Sequence, residues 1–280
     1  MIPLIARLAA VCALAIGFSA TLFAQPDPVA SKGFDTYIGA LEARLIQNHR
    51  ASEAFLAPVN LPQAAKRLQN GEMLIENLTP NPSPNLPGAL LFHWRGTAYA
   101  PGAKAADFER RLRDFPNYPK VFAPQVQQSK ILSQDGDHLQ ARMRVRQHHV
   151  ITVVLDTTYD VTFGRLDPAR GYSLSRSTQI CEIEAAGTPS EHALEPTKAH
   201  GFMWRLNTYW SWEERDGGLS IQIESVSLTR AIPPGLGWAI RPFVESIPRA
   251  SLEFTLTSAA RALRKEPDSP GPSDKPVPQP

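Results

Sequence analysis

From residue 89 onward the chain repeatedly alternates apolar and polar positions, a period of two that predicts strands. Leu90, Phe92, Trp94 and Ala98 alternate with His93, Arg95, Thr97 and Tyr99, which puts the first set on one sheet face over 89–99. A strand over 126–133 runs into the Asp135-Gly136 turn, a hairpin signal. In the next strand Leu139, Ala141, Met143 and Val145 alternate with Gln140, Arg142, Arg144 and Arg146. Ile151, Val153, Leu155, Thr157, Tyr159, Val161 and Phe163 then share a face. A further strand is predicted over 172–183, followed by a long polar loop over 187–201 that contains Pro189 and Pro196. The aromatic run from Trp204 to Glu214 and the run from Leu219 to Thr229 form a hairpin across Asp216-Gly-Gly218. About seven strands with one apolar face predict a single antiparallel sheet, apolar side inward.

Three- and four-residue spacing marks the helices. Phe34, Tyr37, Ile38, Leu41, Leu45 and Ile46 predict one over 33–56, with Glu42, Arg44, Gln47 and His49 mainly on its other face. A shorter helix near Pro62–Leu68 is stopped by Gly71, and Met73, Ile75 and Leu78 read as a short strand or apolar arm. Pro80, Pro82, Pro84 and Pro87 then separate residues 25–79, a helical extension, from a main domain over 89–264, with 80–88 as linker. Within that domain Phe108, Leu112 and Phe115 line one side of a helix over 105–115, and Pro116 and Pro119 allow only a second short helix near 118–123. At the end, Leu236, Ala239, Ile240, Phe243, Val244, Leu252, Leu256, Ala259, Ala260 and Leu263 return to helical spacing. Because proline disrupts a straight helix interior, Pro242 and Pro248 predict a short helix ending near Ile247 and a longer one starting at Pro248. The tail over 265–280, rich in proline, predicts disorder.

Charge and targeting narrow the functional classes. The 29 basic and 27 acidic residues nearly balance, which gives no electrostatic case for nucleic acid as a partner. Arg7 is the only charge before Asp27, and the apolar run from Leu8 to Ala24 fits a signal peptide over 1–24, making the protein periplasmic or secreted. The alternative is an uncleaved inner-membrane anchor, since about 17–25 apolar residues can span a bilayer. Without that segment Cys181 is the sole cysteine, so no internal disulfide can form; in a strand it is expected to act as a small buried hydrophobe.

Few constellations carry chemistry. His148 and His149 are adjacent in a strand and point to opposite faces, and no other histidine spacing suits a zinc site. Asp156 and Asp160 share a strand face about 13 Å apart by strand rise, beyond the roughly 5–9.5 Å of paired-carboxylate hydrolysis. No Gly-x-Ser-x-Gly elbow or phosphate-cradling glycine loop occurs. No metal, cofactor or catalytic residue is expected. Trp204, Trp210 and Trp212 share a face with Leu206 and Thr208, as core or as the wall of a cavity. Thr157, Tyr159, Arg176, Thr178 and Thr208 could supply placed polar groups. Arg176 would either grip a ligand head group or face outward in an ion pair. Arg142, Arg144 and Arg146 are either a solvated sheet surface or a contact for anionic lipid head groups.

Strand, two short helices, about six more antiparallel strands and a long helix is an order that resembles the helix-grip fold of the START/SRPBCC superfamily. The strings carrying the likeness most specifically are Glu213-Glu-Arg-Asp-Gly-Gly218, Glu224-Ser-Val-Ser-Leu-Thr-Arg-Ala-Ile-Pro233, Gly235-Leu-Gly-Trp238 and Ser246-Ile-Pro-Arg-Ala-Ser-Leu252. They look like a group of bacterial START-like proteins with secretion signals. The resemblance covers about residues 89–264 and implies an α+β fold, a curved sheet wrapped around a long C-terminal helix, with an apolar ligand held between them. On that basis the expected function is non-covalent carriage or sensing of a lipid or other hydrophobic small molecule, with membrane-surface contact as a further partner. Cavity walls would come from Phe92, Trp94, Leu155, Tyr159, Trp204, Trp210, Trp238, Phe243 and Leu252, with Arg176 as the polar grip. The alternatives are a cyclase- or hydrolase-type enzyme using the same cavity, or a filled domain serving as a protein-interaction module.

Overall fold

The structure, a computed structural model, describes residues 25–51, 55–56, 62–148, 151–232 and 237–264, with backbone only for 237–243. The expected signal or anchor and the proline-rich tail lie outside these residues.

Helix α1 spans Pro28–Arg50 and starts where its residues dictate. Asp27 is its N-cap, with Oδ1 accepting from the Val29 N–H at 2.7 Å, and Pro28 occupies the first turn, where a missing donor costs nothing. Helix α2 is Pro62–Gln69, followed by the edge strand β1, Leu74–Asn77. Then come β2 (Ala89–Pro101), α3 (Ala105–Arg113), a 3-10 turn at Phe115–Asn117 and α4 (Tyr118–Val121). Strands β3 (Val126–Asp135), β4 (His138–His148), β5 (Thr152–Arg165) and β6 (Arg170–Glu184) follow. The two-residue β7 (His192–Ala193), β8 (Arg205–Arg215) and β9 (Gly218–Arg230) complete the sheet, and α5 spans Gly237–Leu263. Among the described residues no helix is long and apolar enough to cross a membrane.

The sheet is antiparallel throughout, in the order β1-β2-β9-β8-β6-β5-β4-β3, with β7 pairing with β6 beyond the end of β8. Between β8 and β9 the turn takes positive φ at Asp216 (53°) and Gly217 (77°), the conformation that matches strand twist in tight hairpins. The sheet begins at Leu74, before the expected boundary at 89, because β1 pairs along β2 from Leu74 opposite Thr97 to Asn77 opposite Trp94.

Each face of the sheet has its own cover. On the concave side Phe108, Trp210, Trp212, Ile221, Ile223, Leu252 and Leu256 join one core. On the convex side α1 lays a stripe of Ala30, Phe34, Ile38, Leu41 and Leu45 against Leu91, Tyr209, Val226 and Leu228. The extension is therefore part of the fold. Glu42, Arg44 and His49, expected mainly on the other face of that helix, flank the stripe and reach the sheet: Glu42 meets Arg176, Arg44 meets Glu224 and His49 meets Ser211.

Helix α5 runs unbroken through Pro242 and Pro248, where two helices were expected. Each proline removes one N–H from the ladder, and the buried residues Leu252, Leu256, Ala259 and Leu263 hold the later turns on the sheet. Its approach to β2 depends on Gly96: a Cβ there would lie 2.7 Å from Leu252 Cδ2 and 3.1 Å from Leu256 Cδ2. The helix thus settles over one side of the sheet. Cys181, expected to be buried, is only half-buried, and its Sγ accepts from Gln179 Nε2 at 3.4 Å.

Candidate functional site

Between α5, the short helices and strands β4, β5, β6, β8 and β9 lies a cavity of about 510 Å³. That is within the roughly 300–1,000 Å³ of small-molecule sites. Behind Trp210, which lines it, Phe108 meets Trp210 and Trp212 edge-on, each with ring centroids 5.4 Å apart. Phe115, Phe122, Met143, Leu155, Val161, Phe163 and Leu252 supply apolar walls. Ile151, 40% exposed, and the exposed Lys198 border the space and mark where it meets solvent.

The segment 198–203 forms one border, and a buried carboxylate holds it. Glu182, 6% exposed, accepts from the backbone N–H groups of His200, Gly201 and Phe202 at 2.8–3.0 Å. It also meets His200 Nδ1 at 2.8 Å, and the imidazole stacks on Phe202. Four partners satisfy a carboxylate that would be costly to bury alone.

Of the residues expected at the site, Phe92, Leu155, Tyr159, Trp210 and Leu252 line the cavity. Burial pushes the Tyr159 phenol up to about 12 despite a bond with Thr157, so it stays protonated at neutral pH. Trp94 packs against the concave core without reaching the cavity. Trp204 precedes β8 and packs with the convex cluster, because the alternation that would aim it inward begins only at Arg205. Arg176 is on the convex face, with Nε and Nη2 donating to the two Glu42 oxygens at 2.6 and 2.7 Å. It holds α1, not a ligand. The side chains of Trp238 and Phe243 lie outside the described residues. Among the polar candidates only Tyr159 and Thr208 reach the cavity: Thr157 donates to the Met143 carbonyl at 3.1 Å, and Thr178 is exposed on the Thr158 carbonyl.

On the outer surface Arg142 and Arg144 are tied to Asp156 at 2.6 and 2.7 Å, and Arg144 also to Glu191, which leaves Arg146 exposed. Among the described residues no three His, Cys, Asp or Glu side chains converge as metal ligands. No carboxylate lines the cavity among these residues either.

A second polar centre, unread from the sequence, lies under α1. Glu224, 2% exposed, meets Arg44 Nη2 at 2.6 Å and His93 Nε2 at 2.9 Å, and His93 Nδ1 meets the Tyr37 hydroxyl at 2.7 Å. Burial alone would raise the Glu224 carboxyl, but the bonds from His93 and Arg44 outweigh it and hold the group at about 2. The available signal was Glu224 itself, a charge in a run otherwise fit for a buried strand.

No family model matches the chain, and no curated protein sequence is significantly similar to it. Solved structures do resemble it. A START superfamily protein from Mycobacterium smegmatis is 15% identical and covers 61% of this chain and 96% of its own length, with a TM-score of 0.40. A STAR-related lipid transfer protein from Xanthomonas axonopodis is 16% identical, covering 63% and 96%, with a TM-score of 0.39. An aromatase/cyclase from Streptomyces sp. R1128 is 16% identical, covering 62% and 94%, with a TM-score of 0.42. The fold is START-like. The antiparallel strand order and the helix laid across the concave face carry that likeness.

Proposed function

We propose that the protein binds a lipid or other hydrophobic small molecule non-covalently in the space between its sheet and C-terminal helix. The supporting observation is the 510 Å³ cavity itself, walled by Phe115, Phe122, Leu155, Phe163 and Leu252. Removing apolar ligand surface from water there is worth about 25 cal/mol per Å². Carriage or sensing needs no more than such a cavity and a border that can open. The apolar run from Leu8 to Ala24 would place this binding in an exported compartment. Contact with a membrane surface would use Ile151 at the border together with the exposed Arg146.

The test is to purify the protein, identify co-purifying small molecules by mass spectrometry, and titrate a neutral polarity-sensitive dye against it. Saturable dye binding, displaced by lipids, is the expected result. Neither co-purified ligand nor dye binding would remove the reading.

One observation favours a second reading, catalysis in the same cavity. His200 lines it, and Glu182 engages its Nδ1, the arrangement that orients an imidazole to act through its other nitrogen as a general base. Turnover of nitrophenyl esters of medium-chain acids that disappears in His200→Gln, with dye binding unchanged, would support it. No turnover across such esters would count against a hydrolase.

A further inference from the structure

The floor of the cavity is less apolar than its walls. Along β9 the inward positions run Leu219, Ile221, Ile223 and then change to Ser225, Ser227 and Thr229, of which all but Leu219 and Ile221 line the cavity. The neighbouring strands change with it. Ser175 on β6 lies opposite Thr208 on β8, and Thr208 lies opposite Ser225 on β9. Three hydroxyl-bearing residues therefore cross the middle of the sheet in one row, which spans about 10 Å at ordinary strand spacing.

Among the described residues the hydroxyls of Ser175, Thr208, Ser225 and Ser227 make no side-chain hydrogen bond, and Thr229 Oγ1 is buried without a partner. Ser173 and Ser227 are only 4% and 5% exposed and line the cavity. Three other hydroxyls on this sheet find partners within the protein: Ser177 Oγ accepts from the Leu206 N–H at 2.9 Å, Thr97 Oγ1 from Gln222 Nε2 at 2.9 Å, and Thr157 Oγ1 donates to a carbonyl, while Ser129 Oγ on β3 is buried without one. A buried hydroxyl left without a partner is destabilising. A sheet centre built only to hold hydrocarbon would carry valine or alanine at these positions.

We infer that the ligand is an apolar molecule bearing two or more uncharged oxygen functions (ester, ketone or hydroxyl) that lie along the Ser175–Thr208–Ser225 row. The inference rests on the binding function proposed above and specifies its ligand class. A hydroxyl both donates and accepts, so a row of them matches neutral oxygens of either kind. Among the described residues an ionised group on this floor would lack a counter-charge: the cationic side chains lining the cavity there, Lys198 and Arg230, belong to its border segments, and Arg230 already donates to the His200 carbonyl.

The experiment compares 1-monododecanoylglycerol with dodecane as displacers of a neutral dye from the full chain, native and with Ser175→Ala, Thr208→Val and Ser225→Ala combined. These substitutions change the cavity's shape little: Ser→Ala deletes a hydroxyl and Thr→Val puts a methyl in its place. The native protein should bind the monoglyceride at least about tenfold more tightly than dodecane, and the triple variant should lose that preference while holding dodecane as well or better. Should the triple variant not fold, Thr208→Val alone should narrow the preference, and the native ratio itself remains decisive. Dye binding with equal affinity for both displacers would mean the row is merely hydrated; that overturns the ligand class and leaves the cavity function standing. Failure of dye and both displacers to bind overturns both.

Discussion

The two faces of the same sheet solve opposite problems. On the convex face α1 brings its own charges to the sheet's charges: Arg44 and His93 close on Glu224, Glu42 on Arg176, and Asp35 on Arg205. Apolar residues from Phe34 to Leu45 fill the space between. On the concave face α5 leaves about 510 Å³ unfilled and, among the described residues, a row of hydroxyls without side-chain partners. Both surfaces lie under a helix, so helical cover alone does not decide which face binds a ligand. Room does: on the convex face Arg205 Nε and Asn207 Oδ1 are buried without partners beneath the packed stripe of α1, whereas the concave face sets its unmatched hydroxyls against a cavity.

The sharpest way to break this contrast is to unmatch the convex face. Glu224→Ala leaves Arg44 and His93 without their carboxylate and should cost about 3–5 kcal/mol, read as a lower denaturation midpoint. If α1 is only an accessory cover, the ligand-binding face should still bind dye in the fraction that remains folded. A loss under 1 kcal/mol would show that the pair is not a structural tie.

Acid should loosen the same face next. Glu224 is held at about 2 when folded, against the ordinary carboxylate range near 4.3 when unfolded. Its ionised form therefore stabilises the fold fully above about 4.3, and that contribution, on the order of 3 kcal/mol, drains away as pH falls towards 2. His49 adds to the trend earlier. Burial lowers it to about 4, so between pH 6.5 and 4 the unfolded chain takes up a proton that the folded chain refuses, and stability falls. Hydrogen exchange across α1 from pH 7 to pH 3 should show protection falling in step; protection that stays flat would contradict both assignments.

Filling the concave face should do the reverse. Thr208→Trp puts a large ring into empty space, so dye affinity should fall by at least about tenfold while stability changes by no more than about 1–3 kcal/mol of overpacking. Unaltered dye affinity would mean the dye binds elsewhere. The smallest effect is expected at Arg176, whose pair with Glu42 is partly exposed. Arg176→Ala should cost about 1 kcal/mol or less and leave ligand affinity untouched, whereas a drop in affinity would return this arginine to the cavity.

Much of the fold was legible because period two and period 3.6 are local. The strands from 89 to 229, the Asp135-Gly136 and Asp216-Gly217 turns and the amphipathic stripe of α1 all follow from residues within a few positions of one another. The misplaced sites have equally physical causes. Trp204 was aimed inward by extending β8 one residue too far, and a helix break was placed at Pro248 although two missing donors do not outweigh the packing of the turns beyond it. For Arg176 both a ligand grip and an outward ion pair stood open from sequence, because the partner that decides between them, Glu42, lies 134 residues away.

By itself the sequence determined the alternation, the turn positions, the helical stripes and hence an antiparallel sheet with a helix to close it. Only the tertiary structure decided which charges meet across α1, how far to one side Gly96 lets α5 settle, and therefore that a void floored by Ser175, Thr208 and Ser225 is left. Local patterns state which face a side chain occupies; a cavity is the volume that distant segments fail to fill, and that depends on how close two surfaces can come.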